Sequence, residues 1–157
     1  MEQGFSIIQV IQLILAPAVM INACGLLLLA TSNKYSSVLN TIRRLNEEKR
    51  RLFRKAGEKN FEEMMRLESL AQQIGRLIVR AKLVRNSVLF YSGAIALFIL
   101  TSLLIGMGFL IHGFESSTAI TIAFLTGVVA VLVAVVFAFL DARKAYQIIE
   151  FDVLADE

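Results

Sequence analysis

Three long apolar runs contain no Asp, Glu, Lys or Arg, and that property constrains the chain more than any other. The first extends from about Phe5 to Ala30, the second from about Ser87 to Ile111 and the third from about Ser117 to Leu140. Each exceeds the roughly 18 residues at which an uncharged apolar stretch reads as a membrane-spanning helix. Soluble domains are about 45–50% apolar. This chain is 57% hydrophobic and 18% charged, and its excess sits in the three blocks. An all-α membrane protein with three transmembrane helices is therefore expected. The first run must be weighed against a secretory signal, because Ile21-Asn22-Ala23-Cys24 faintly resembles a lipoprotein cleavage box. An N-terminal stretch with Glu2 and no Lys or Arg, and the apolar continuation from Gly25 to Leu29, both oppose cleavage. The segment is read as a span, and Cys24 has no second cysteine to pair with.

Charge is distributed by segment. The net charge of +3 hides a basic middle, residues 31–86, with 14 of the 16 Lys and Arg against six Glu, a net of +8. Residues 141–157 carry two cations and five acids, a net of −3. The turn between the second and third runs, His112-Gly113-Phe114-Glu115-Ser116, is short and nearly uncharged, which makes those two spans a tight hairpin. The positive-inside rule then places 31–86 and the acidic tail in the cytoplasm and the N-terminus outside. Arg143 and Lys144, just after the third run, agree, and Tyr35, Tyr91 and Tyr146 fall near the inner span ends as interfacial anchors would.

Segment 31–86 has the pattern of an antiparallel helical hairpin. Val38, Ile42, Leu45 and Leu52 form one stripe. Leu67, Leu70, Ile74, Leu77, Ala81 and Val84 form another in alternating threes and fours, a heptad pattern that predicts a coiled coil. The turn is expected at Gly57-Glu58-Lys59-Asn60, with Phe53, Phe61, Met64 and Met65 packing near the tip. No strong stop separates either arm from its span, so helices continuous from membrane to cytoplasm are predicted, and residues 61–86 would project about 39 Å.

The run from Ile11 to Leu26 around Ala16-Pro17-Ala18, then Ser32-Asn33-Lys34-Tyr35, Ile42-Arg43-Arg44-Leu45 and Gln72-Gln73-Ile74-Gly75-Arg76-Leu77 to Arg80, resembles the domain of unknown function 2721 family of bacterial and archaeal membrane proteins. The likeness covers roughly residues 7–140. The family usually carries Arg where this chain has Lys34, a departure that keeps the charge and loses the guanidinium fork. The resemblance implies three spans and a cytoplasmic helical region in a prokaryotic cell membrane, and it brings no activity with it.

The absence of Asp, Glu, Lys and Arg within the spans argues against proton relays, ion-coupled transporters and intramembrane hydrolases. The sequence has no phosphate-binding glycine loop, paired-histidine zinc motif or calcium loop, so neither an enzyme nor a cofactor is expected. Ser6, Gln9 and Gln12 recur every three residues on one broad face of the first span. They either line a pore shared by several subunits or hydrogen-bond between helices, the commoner role of polar membrane residues. Asn22 lies about 80° round the helix from Gln12. Pro17 removes a donor to the Leu13 carbonyl and is expected to kink the first span, as a static bend or a gating hinge.

Ala123, Gly127, Ala130, Ala134 and Ala138, continued by Ala142 and Ala145, form a stripe of small residues along the third run, suited to close helix packing against the same chain or another. Arg43, Arg44, Lys49, Arg50, Arg51, Arg54 and Lys55 crowd the first cytoplasmic arm. They suit anionic lipids, a protein partner or the acidic tail, whereas the lack of interleaved aromatics disfavours nucleic acid. His112 and Glu115 at the outer turn offer a weaker pH-sensing possibility. The surplus of association surfaces on a small chain predicts a homo-oligomer. Two functions follow: a structural or scaffolding assembly whose stalk docks a cytoplasmic partner, and, as the alternative, a small channel-like pore lined by the polar face of the first span.

Overall fold

The computed structural model describes residues 7–55, 61–110 and 117–154, which form three α-helices: α1 (Ile7–Lys55), α2 (Phe61–Leu110) and α3 (Ser117–Leu154). Among the described residues there is no strand. Each helix holds a stretch long and apolar enough to cross a membrane. In lipid this architecture follows from backbone chemistry, because a helix satisfies its own N–H and C=O groups where no water can. All three helices run unbroken past the ends of their apolar runs, and α3 continues beyond Leu140 into the segment that carries the acidic residues. The expected turn at 57–60 and the expected turn with His112 and Glu115 lie outside the described residues.

The chain divides into two compact units. The first comprises Met1–Ala30 and Ser87–Val136. Its centre is Cys24 of α1 with Ala94 and Phe98 of α2, surrounded by Met20, Ile21, Ile95, Phe124, Val128, Ala130 and Val131. Phe98 is fully buried and meets Phe124 of α3 with ring centroids 5.6 Å apart and planes at 57°, a tilted arrangement that suits the ring quadrupoles. Gly127 makes room for that ring: a Cβ there would lie 2.9 Å from Phe98 Cε1. At the unit's edge, the buried Ser87 hydroxyl donates to the Ala134 carbonyl at 2.8 Å, so α2 and α3 are joined by a hydrogen bond as well as by close packing. Most of the unit's large apolar side chains point outward, among them Ile11, Leu15, Val19, Leu26, Leu103, Leu125, Val129 and Leu132.

The second unit comprises Thr31–Asn86 and Phe137–Glu157. Among the described residues, Val38 of α1 and Leu70, Ala81 and Val84 of α2 are its buried apolar residues. Farther along the same two helices, Arg66 Nη2 meets Glu48 Oε1 at 2.9 Å across an exposed surface. Phe53, Phe61, Met64 and Met65 do not pack together as the sequence suggested: all four are exposed, Phe61 by 78%. The reason is angular. The inward stripe of α2 passes through Glu63, Leu67 and Leu70, so Phe61, Met64 and Met65 are displaced from it by about 100° or more, and Phe53 stands likewise one residue beyond Leu52.

Candidate functional site

The second unit contains a carboxylate with no exposure to solvent, Asp141 of α3. It follows Leu140 directly and stands two turns beyond Ala134, which is itself two turns beyond Gly127, so all three fall on one face of the helix. That face is the one α3 buries, and it carries Asp141 inward. An isolated ionised carboxylate in such a place is costly, and partners are required. They come from the two other helices. Arg80 of α2 donates through Nε to Asp141 Oδ1 at 3.2 Å, and the Lys34 ammonium of α1 sits 2.6 Å from Oδ2. The Lys34 contact is an ion pair without hydrogen-bond alignment, which leaves Oδ2 with charge compensation and no directed donor among the described residues.

The three side chains are graded in exposure: 0% for Asp141, 17% for Arg80 and 44% for Lys34. Two cations share one carboxylate, so the cluster carries a residual charge of about +1 with its positive groups outermost. A one-to-one pair would have sufficed to neutralise Asp141. Chemically the cluster can tie the three helices at one level and hold an anion. Among the described residues, no group of three or more His, Cys, Asp or Glu is placed to hold a metal ion.

The residues singled out from sequence are placed elsewhere. Ser6 lies outside the described residues. Gln9, Gln12 and Asn22 are exposed on α1, and the side chains of Gln12 and Asn22 make no hydrogen bond among the described residues. Gln12 is about 180° round the helix from Ile21, which packs on the core, and so stands on the side of α1 facing away from α2 and α3. Pro17 is fully buried, and α1 continues through it. Ala123, Gly127 and Ala134 are buried and Ala130 and Ala138 half-buried; the partner of the stripe in the first unit is α2 of the same chain, through Phe98 and Ser87. Arg43, Arg44, Arg50, Arg51 and Arg54 are exposed and Lys49 half-buried, while the Lys55 side chain lies outside the described residues. None of the described members of this group pairs with Asp141, whose partners are Lys34 and Arg80.

Sequence reasoning did not assemble Lys34, Arg80 and Asp141 as a site. By composition Asp141 belongs to the acidic tail, and Lys34 and Arg80 to the basic middle. The available signal was the seven-residue spacing Gly127, Ala134, Asp141, matched on α2 by Arg80, Ser87, Ala94 and Thr101.

The family described as protein of unknown function, DUF2721, has a model that matches residues 14–151. The chain belongs to this DUF2721 family. The match includes Lys34, Arg80 and Asp141. No curated protein and no solved structure matches the chain.

Proposed function

We propose that this DUF2721 protein is a non-enzymatic scaffold of a prokaryotic cell membrane that self-associates through α1 and offers its basic helical arms to a cytoplasmic partner. The observation that carries the reading is Gln12. Its amide is exposed on an apolar helix, opposite the core-facing side, and has no hydrogen-bond partner among the described residues. Facing hydrocarbon, such a group is costly; facing the same amide on a second copy, it is satisfied. The orientation proposed, N-terminus outside and arms inside, rests on the 14 cations of residues 31–86. The lack of Asp, Glu, Lys and Arg in the three apolar runs supports a role without chemistry at membrane depth.

The test is disulfide trapping in native membranes with Gln12→Cys in a Cys24→Ala background. Leu13→Cys, also exposed but about 100° round the helix, serves as the control. A covalent dimer from Gln12→Cys and not from Leu13→Cys is expected. Equal or absent crosslinking, together with a monomer mass in lipid nanodiscs, would remove the self-association reading. If the assembled protein conducts ions across planar bilayers and Gln12→Leu abolishes the current, the pore alternative replaces the scaffold.

A further inference from the structure

We propose that Lys34 and Arg80 form a binding site for a phosphate oxyanion, with Asp141 holding the two cations in place behind it. The inference does not depend on self-association. Its first support is stoichiometry: bringing two cations to one fully buried carboxylate leaves an uncompensated positive charge, and a second anion removes the repulsion between them. Its second is direction. Exposure rises from 0% at Asp141 to 17% at Arg80 and 44% at Lys34, so an incoming anion meets the cations first and the carboxylate is shielded.

Donor count gives the third support. Arg80 uses Nε on Asp141, and its terminal amines have no acceptor among the described residues. The Lys34 ammonium has three donors and no aligned hydrogen bond to Asp141. A guanidinium edge beside an ammonium matches the several oxygens of a phosphate, the first supplying a planar fork and the second a point charge. Position in the sequence is the fourth. Lys34 follows the first apolar run within a turn and Asp141 abuts the third, where the exposed Arg143 and Lys144 add positive charge. A phosphodiester of an anionic lipid headgroup and free inorganic phosphate share this chemistry, and the experiment separates them.

Full-length protein, delipidated in detergent, would be titrated with phosphatidylglycerol or phosphatidylcholine and the bound lipid counted by native mass spectrometry. The variants are Lys34→Gln and Arg80→Gln, with Lys82→Gln, an exposed cation about 160° round α2 from Arg80, as control; circular dichroism verifies that each is folded. Loss of one charge-assisted hydrogen bond is expected to weaken phosphatidylglycerol binding by roughly ten-fold in Lys34→Gln and Arg80→Gln, with Lys82→Gln unchanged. If inorganic phosphate displaces the lipid, and does so less well in the two cluster variants, the site accepts the free anion as well. If millimolar phosphate leaves retention intact, the site belongs to the lipid headgroup. Should Arg80→Gln fail to fold, Lys34→Gln decides, because its side chain is nearly half exposed. Wild-type retention in Lys34→Gln, or an equal loss in Lys82→Gln, would overturn the proposal in favour of diffuse attraction.

Discussion

Gly127 and Phe98 show how one missing side chain shapes the first unit. The ring of Phe98 occupies the space a Cβ at Gly127 would need, with Cε1, Cζ and Cδ1 at 2.9, 3.1 and 3.2 Å from that position. Phe98 is fully buried and cannot withdraw without disturbing Cys24 and Ala94. Overpacking of this kind costs about 1–3 kcal/mol, against about 1 kcal/mol that alanine contributes over glycine in a helix. Gly127→Ala is therefore expected to lower stability by about 1 kcal/mol, and adding Phe98→Leu to recover part of the loss. Gly75 is the contrast: a Cβ there meets nothing within 4 Å, and Gly75→Ala is expected to stabilise by about 0.5–1 kcal/mol. Thermal unfolding of the four proteins in one detergent checks both signs. The small-residue stripe was legible in the sequence; the aromatic ring that fills it was not, because many bulky residues on α2 stand at suitable spacings.

At the scale of the helices, the Lys34–Asp141–Arg80 cluster joins one residue from each of α1, α2 and α3. Its members have unequal burial, and that sets the cost of removing them. Asp141→Ala leaves the mostly buried Arg80 without its carboxylate and is expected to cost about 3 kcal/mol. Arg80→Ala should cost less, since Lys34 still reaches Asp141, and Lys34→Ala least, at about 1 kcal/mol or below, because its half-exposed ammonium is solvated either way. The exposed Glu48–Arg66 pair provides the baseline: a double-mutant cycle there should return a coupling below about 1 kcal/mol that fades with salt. Denaturation of the cluster variants by urea or heat tests the order, and a cost at Lys34 equal to that at Asp141 would contradict it. The helices themselves could be read from apolar runs and the three-and-four spacing. The cluster could not, since sequence places no limit on which cation of a basic segment reaches a given carboxylate.

For the whole molecule, the asymmetry of charge leads to a labelling prediction. In intact cells carrying the Cys24→Ala background, a cysteine at Glu115 is expected to react with a membrane-impermeant maleimide, whereas one at Glu58 reacts only after permeabilisation. The reverse pattern would invert the proposed topology. The exposed Phe53, Phe61, Met64 and Met65 belong to this scale too. Their exposure corrects the expectation of a packed tip: composition identifies apolar residues, but only their angular position relative to the stripe decides whether they turn inward.

The chain's own sequence determined that it would be helical and that three stretches could cross a membrane, because apolar run length and helical period are local properties, counted over a few turns. It also marked Gly127, Ala130 and Ala134 as a face for close approach. The tertiary structure decided that this face receives Phe98 and Ser87 of the same chain, and that Asp141 takes Lys34 and Arg80 as its partners. Those choices depend on which helix faces meet, at what register, between residues far apart in the chain. A carboxylate one residue beyond a span can lie in water or be drawn inward, and only the packing around it distinguishes the two.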